Sequence, residues 1–444
     1  MNRRGFLAST GLGAAGLLAG AEKRPPNLLF IHTDQQHFET IRALGCEWIS
    51  TPNLDRLSRS GTSFDLSYSA NPVCCPARSC WYTGRTSSET RVVENARPIR
   101  ADLPDSGQWF RANGYETVYA GKWHIPGRKV EESFRVLTGG FGLGEHGDGA
   151  VSRAAQGFLT SYSGDKPFFL SLGFLQPHDI CYWIMERGEM LNRLGREDLP
   201  PIPESLSEAD LPPLPPNFQY DQREPETFVA QMRGKFRTNL RERWTERDWR
   251  YYRWAYYRHV EMVDAEIGRV LDALDSSGRV RDTLVVFSAD HGEGMGMHQT
   301  VLKHFLYDEA ARVPLMISWP EWLAQNRRDR VHLASGLDVL PTLCDFAGIP
   351  APPKARGRSL RPLLEDRNPE WREFVVSESA TTGRMIRTAE HKLITYQGDQ
   401  TQQLFDMKAD PRETKNLAFS ASHAGLVANL RKELAAWESR LEVA

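Results

Sequence analysis

Short, unbroken apolar runs alternate with helix-like periodicity along most of the chain. Residues 27–31 (NLLFI), 117–120 (TVYA), 168–172 (FFLSL) and 284–287 (LVVF) are, Asn27 apart, apolar or small and are bounded by polar residues or proline. Runs of this kind mark strands buried on both faces. Between them the clearest helical pattern sets Tyr256, Val260, Val263, Ile267, Val270, Leu271 and Leu274 at steps of three and four, with Gly278 just beyond as a stop. The alternation predicts an α/β fold, with a large, mostly parallel central sheet flanked by helices.

Residues 181–246 break this rhythm. Pro200, Pro201, Pro203, Pro212, Pro213, Pro215 and Pro216 punctuate a polar stretch that reads as a long surface excursion, either functional or a loose insertion. Around its end, Arg233, Arg237, Arg241, Arg243, Arg247, Arg250, Arg253 and Arg258 are interleaved with Trp244, Trp249 and Trp254. Two readings stand. These residues form a solvated helix face laced with ion pairs, or they grip a polyanion on a tryptophan platform. Beyond Leu360 the pattern changes again: residues 392–396 and 403–406 look like a hairpin, and a helical stretch runs from about Ser422 to Leu441. A catalytic domain over residues 22–370 and a small C-terminal α+β subdomain with a short antiparallel sheet, residues 371–444, is the simplest division.

The charge balance narrows the function. Lys and Arg total 55 against 57 Asp and Glu, a formal net charge of -2 over 444 residues. That lacks the basic excess expected of a nucleic-acid partner. The six cysteines, at 46, 74, 75, 80, 181 and 344, include no CxxC pair and crowd three into one short segment, which speaks for local chemistry rather than a disulfide scaffold. At the start, Arg3-Arg4-Gly5-Phe6-Leu7 precedes a Gly/Ala/Leu stretch that ends near Ala21. Residues 1–21 therefore read as a twin-arginine-type signal peptide, too short and too rich in small residues for a membrane span, and predict an exported protein, periplasmic or secreted.

Polar pairs stand where the buried strands should end: Asp34-Gln35, Asp290-His291 and Pro177-His178. Ligands of open α/β sheets bind beyond the carboxyl ends of strands, so carboxylates there can converge on one cation. An aspartate after a strand can also simply cap the next helix. The segment around Cys74-Cys75-Pro76-Ala77-Arg78 is more specific. Pro76 suits the first turn of a helix, which places Cys74 or Cys75 at a helix N-terminus as a candidate low-pKa thiolate. A buried structural cysteine, or a zinc–thiolate site of Cys74, Cys75 and Cys80, are the competing readings.

This segment, followed by Thr83-Gly84-Arg85, resembles the Cys-x-Pro-x-Arg signature of the type I, formylglycine-dependent sulfatases of the alkaline phosphatase superfamily. The resemblance continues in order through Gly121-Lys122-Trp123-His124, Gln176-Pro177-His178, Ser288-Ala289-Asp290-His291-Gly292-Glu293, Lys303 and Arg312-Val313-Pro314. It ends with Gly357-Arg358-Ser359-Leu360, Leu404-Phe405-Asp406 and Asp410-Pro411-Arg412-Glu413. It implies an alkaline-phosphatase-like fold and the hydrolysis of sulfate esters, with carbohydrate sulfates the expected substrates.

The resemblance also distributes roles. Cys74, oxidised by a maturation enzyme to formylglycine, becomes an aldehyde hydrate that attacks sulfur and later expels sulfate. Asp34, Gln35, Asp290 and His291, with Cys74, hold a divalent cation: calcium is expected, with manganese the rival because one imidazole replaces an oxygen donor. Arg78 holds the hydrate, Lys122 and Lys303 neutralise the sulfate oxygens, His124 assists loss of the hydrate proton, and His178 protonates the leaving alcohol. The expected partners are a sulfated small molecule or glycan, the maturation enzyme and the twin-arginine export machinery, with no nucleic acid and no stable membrane insertion. Two rivals remain: a phosphate or phosphonate ester hydrolase of the same superfamily, and a catalytically dead glycan-binding protein.

Overall fold

The computed structural model describes residues 24–140, 142–187, 206–232 and 240–443. The expected signal peptide, residues 1–21, lies outside them. Nine strands bear on the main sheet and its edge: β1 (Asn27–Asp34), β2 (Gly61–Phe64), β3 (Ser67–Tyr68), β4 (Glu116–Gly121), β5 (Arg135–Gly139), β6 (Phe168–Pro177), β7 (Thr283–Ala289), β8 (Leu315–Ser318) and β9 (Arg327–Asp329). Eight of them form one sheet in the order β5-β4-β6-β1-β7-β8-β2-β9. The five strands from β5 to β7 run parallel, and β8 pairs antiparallel with both β7 and β2. The expected mostly parallel sheet is present, and β3 pairs separately with β10 (Ala334–Ser335).

Uniformly apolar strands reflect burial on two sides. Leu28 and Phe30 of β1 join one core with Leu284 and Val286 of β7, whereas Leu29 and Ile31 join the opposite core with Val285 and Phe287. Side chains alternate across a strand, so a polar residue at any of these positions would sit in one core or the other. The second core is roofed by Val151, Ala155, Phe158 and Leu159 of the helix Gly144–Ser161. It is closed by Val263, Ile267, Val270, Leu271 and Leu274 of the long helix Glu246–Ser276.

That long helix begins ten residues before the apolar periodicity at Tyr256. Thr245 and Asp248 close a reciprocal capping box at its start, and its first turns bury Trp249, Tyr251, Tyr252 and Tyr256 against Ile180, Trp183, Ile184, Leu211 and Leu240. The described parts of the expected excursion do run over the surface, with many exposed residues, and they are pinned to the protein by buried Ile184, Leu211, Phe228 and Leu240. Its aromatic residues supply the apolar area that the polar composition conceals.

Four further strands, β11 (Phe374–Ser379), β12 (Gly383–Thr388), β13 (His391–Tyr396) and β14 (Gln403–Asp406), form an antiparallel meander that contains the expected hairpin. One face packs on Leu430 and Leu434 of the helix Ala424–Glu438. The other buries Val375, Met385, Ile394 and Phe405 against Tyr68, Phe305 and Tyr307 of the larger part. Lys392 is buried in this contact, 2.8 Å from Asp308 and 2.6 Å from Glu413. The edge strand β11 reaches the loop before Cys74, where the Glu378 N–H donates to the Ala70 carbonyl at 2.8 Å. Among the described residues no helix is long and apolar enough to cross a membrane.

Candidate active site

Parallel register assembles the site. Thr33 of β1 lies opposite Ala289 of β7, so the next residues, Asp34 and Asp290, emerge side by side. On the other flank of β1, Asp34 is level with Pro177 of β6, which delivers His178. β4 ends at Gly121, and the Lys122 N–H donates to the Gly173 carbonyl at 2.8 Å. Four distant segments thus release their polar residues at the same edge of the sheet.

The helix Cys74–Thr83 points its start at this edge, with Cys74 its first residue and Pro76 in its first turn. Cys74 Sγ lies 3.2 Å from His291 Nε2 and 3.6 Å from Asp34 Oδ1. The Cys75 side chain turns into the apolar core, where burial pushes its thiol up to about 11. Cys80 sits with Ala70 and Leu337. The three thiols do not converge, which removes the zinc–thiolate reading. At Cys74, burial and Asp34 oppose the thiolate, but Lys303, Lys122 and His291 outweigh them and hold the thiol well below its ordinary range.

Asp34, Cys74, Asp290 and His291 are fully buried and present one ligand atom each within 4.8 Å of one another. The donor chemistry fits a cation. His291 Nδ1 donates to the Gly292 carbonyl at 2.8 Å, which turns the Nε2 lone pair toward the cluster. Burial works against a proton on His291, yet Asp290 and Cys74 raise its pKa. Burial and the Asp34 charge also push Asp290 up. The field of the pocket is one that a positive ion would relieve.

Arg78 organises the carboxylates from behind. Its Nε donates to Asp290 Oδ2 at 2.9 Å, its Nη2 to Asp34 Oδ2 at 3.0 Å and its Nη1 to the Lys122 carbonyl at 2.7 Å, all without solvent exposure. The resemblance implied that Arg78 holds the aldehyde hydrate at position 74. The structure commits its fork to the two aspartates, leaving their Oδ1 atoms to face Cys74 and His291. Lys122 Nζ lies 2.6 Å from Asp34 Oδ2; burial works against the Asp34 charge, but Lys122, with Arg78 and Lys303, outweighs it and keeps Asp34 well below the carboxylate range.

Gln35 takes a left-handed backbone, φ 69, and its N–H donates to Asp290 Oδ1 at 2.9 Å. Its side-chain oxygen accepts from Lys303 Nζ, and its amide nitrogen donates to Glu293. His178, partly buried, is depressed well below the usual imidazole range by burial first and then by Lys303 and Lys122. His124 differs from the other expected residues: its side chain is exposed and its backbone left-handed, φ 55, which places it outside the buried cluster. Sequence reading assigned no role to Glu293 or Cys181, although both are buried against Gln35. The position of Glu293 three residues after Asp290 was the available signal.

The arginine-rich segment is corrected in part. Arg233 and Arg237 lie outside the described residues. Arg247 and Arg250 bind Glu208, and Arg250 also donates to the carbonyls of Pro212 and Leu211. Arg253 donates to the Met295 carbonyl, and Arg258 pairs with Glu261. Trp249 is buried, with Trp244 packed on it and on Trp183. No tryptophan platform is left open by these two rings.

Comparison with known proteins decides the family. The sulfatase family profile matches residues 26–349, well over half of the chain. This chain belongs to the sulfatase family. A second profile, that of the N-sulphoglucosamine sulphohydrolase C-terminal region, matches residues 296–440. Among curated relatives of this sulfatase, the Delta 4,5-hexuronate-2-O-sulfatase of Bacteroides thetaiotaomicron is 31% identical, covering 95% of this chain and 90% of its own. The N-acetylglucosamine-6-O-sulfatase of the same organism is 26% identical, with 94% and 87% covered. The solved structure of a 2-O GAG sulfatase superposes with a TM-score of 0.81 at 29% identity, covering 94% of this chain and 92% of that one. The protein is a sulfuric ester hydrolase with the fold of the alkaline phosphatase superfamily. Its family works in general with a metal and a formylglycine, and the Asp34–Cys74–Asp290–His291 cluster is where such chemistry fits.

Proposed function

We propose that this sulfatase removes sulfate from a carbohydrate, with formylglycine at position 74 as nucleophile and a divalent cation held by Asp34, Gln35, Asp290 and His291. The observation that carries the reading is Cys74 at a helix start, 3.6 Å from Asp34 and 3.2 Å from His291, with Lys122 and Lys303 buried around it. Its Sγ marks where the oxygens of the aldehyde hydrate would lie. The cation would lower the pKa of that hydrate and polarise the ester. Calcium suits a shell dominated by oxygen donors, with manganese the alternative favoured by His291. Relatives that act on a hexuronate 2-O-sulfate and an N-acetylglucosamine 6-O-sulfate support a sugar substrate.

The side chains divide the remaining work. Arg78 fixes Asp34 and Asp290 against each other, and Lys122 and Lys303 meet the sulfate oxygens as charge builds on them. Burial and these lysines keep His178 neutral in the free enzyme. A bound sulfate offsets the lysine charges, so the imidazole can then carry the proton that the departing alcohol takes. Residues 1–21 are read as a twin-arginine leader and residues 371–444 as a C-terminal subdomain, in an enzyme matured before export.

The test combines three measurements. Mass spectrometry of the Cys74 peptide should show the thiol replaced by an aldehyde, sulfur lost and one oxygen gained. Rates on sulfated sugars and an aryl sulfate should exceed those on the matching phosphate and phosphonate esters. Removal of metal, verified by elemental analysis, should abolish turnover, with calcium or manganese restoring it. An unmodified Cys74 in an active enzyme would overturn the nucleophile, and full activity without metal would overturn the cation site.

A further inference from the structure

We infer that Glu293 is the positioning residue for Lys303, holding the adjacent backbone at Leu302 directly and the Lys303 ammonium group through Gln35. One oxygen of Glu293 accepts from the Leu302 N–H and from the Tyr252 hydroxyl, while the other accepts from the Gln35 amide nitrogen. Gln35 in turn offers its side-chain oxygen to Lys303 Nζ. Glu293 and Gln35 are fully buried, and Lys303 is 6% exposed.

The orientation of the Gln35 amide is fixed from both ends. Turned the other way, its oxygen would face the Glu293 carboxylate and its amide nitrogen the Lys303 ammonium, so two charge-assisted bonds would become two repulsions. Cys181 Sγ sits 3.2 Å from the amide nitrogen and 3.3 Å from the amide oxygen, and a thiol accepts or donates with equal ease, so it does not choose. Glu293 does.

Lys303 needs such a hold. It sits between Leu302 and His304, which have φ of 66° and 84°, and upstream in the same loop Met295, His298 and Gln299 are also left-handed. Non-glycine residues rarely rest there without surrounding contacts that enforce it. Within the loop the Gly294 N–H donates to the Leu302 carbonyl at 2.9 Å, and the Met295 N–H to the Tyr252 hydroxyl at 3.2 Å. Glu293 therefore ties the loop to the long helix, and the long helix to the strand end that carries Asp34 and Gln35.

The inference rests on Lys303 meeting the sulfate, and the experiment separates the two. The probe is inorganic sulfate as a competitive inhibitor of the calcium-loaded enzyme, alongside kcat/KM on an aryl sulfate and the melting temperature. Glu293→Gln should weaken sulfate inhibition and kcat/KM by at least about tenfold, because an amide nitrogen now faces the Gln35 amide and turns it. Adding Gln35→Glu reverses the polarity of the pair: the amide of residue 293 donates to the new carboxylate, whose other oxygen again meets Lys303. With metal content shown equal by elemental analysis, since Gln35 is also a proposed cation ligand, the double variant should recover most of the sulfate affinity, which a purely structural loss would not allow. It also keeps the test open if Glu293→Gln folds poorly. Lys303→Ala is the reference. If Lys303→Ala leaves sulfate inhibition unchanged, the sulfate role of Lys303 falls. If Lys303→Ala weakens it while Glu293→Gln does not, or the double variant shows no recovery, the positioning role alone is overturned.

Discussion

Replacing Arg78 by methionine tests whether the two aspartates depend on the guanidinium behind them. Methionine keeps most of the length and removes three hydrogen bonds, at 2.9 Å to Asp290, 3.0 Å to Asp34 and 2.7 Å to the Lys122 carbonyl. The two aspartates are not affected equally. Asp34 Oδ2 keeps Lys122 Nζ at 2.6 Å, whereas Asp290 Oδ2 loses its ion pair with Arg78 while Oδ1 keeps the N–H groups of Gln35 and His291. All these groups are buried, so the loss belongs with breaking a buried pair, about 3–5 kcal/mol, and not with the roughly 0–1 kcal/mol of a surface bridge. A bound cation would take over part of the neutralisation. Urea unfolding should therefore show the full loss in chelator and a smaller one in calcium, and turnover of an aryl sulfate should fall by roughly 10²-fold or more, as for a lost preorganised donor. Arg78→Lys should be intermediate, since an ammonium lacks the fork that spans two carboxylates. Stability in chelator within about 1 kcal/mol of wild type, with turnover preserved, would refute the assignment.

Cys74→Ala should abolish turnover and leave the fold intact, whereas Cys75→Ala, Cys80→Ala and Cys344→Ala should stay active, because those thiols are raised by burial and lie apart from the cluster; activity assays beside circular dichroism decide it. Asp148, buried under the N–H groups of Leu175 and Gln176, is pushed up to about 7 by burial. A raised carboxyl contributes stability that is present below its ordinary value of 3.8 and is lost as pH rises through about 7. Asp148→Asn should therefore gain on wild type by about 2–3 kcal/mol between about pH 5 and pH 7, and equal urea midpoint changes in both proteins would contradict this. Changing Arg3 and Arg4 together to lysine should leave modified, active enzyme in the cytoplasm, read by fractionation and activity; normal export would point to another route.

Much of this protein is determined by its sequence, because strands buried on two faces are apolar or small over most of their length and cannot disguise themselves. The runs at 27–31, 117–120, 168–172 and 284–287 give the sheet, and the polar pairs after them, Asp34-Gln35, Asp290-His291 and His178, give its active edge. Cys74, Pro76 and Arg78 carry a local signature whose spacing suits one helix start. Contacts between distant segments were decided only by the tertiary structure. The prolines of residues 200–216 hide that Leu211 is buried against Trp183 and Trp249, and arginines at 247, 250 and 253 look free until the carbonyls and carboxylates they bind are in place. That Arg78 spans Asp34 and Asp290 rests on contacts 44 and 212 residues away, which only the folded chain supplies. Glu293 carried no signal beyond its neighbours. Its role depends on three donors, from Gln35, Tyr252 and Leu302, that only the folded chain brings to one carboxylate.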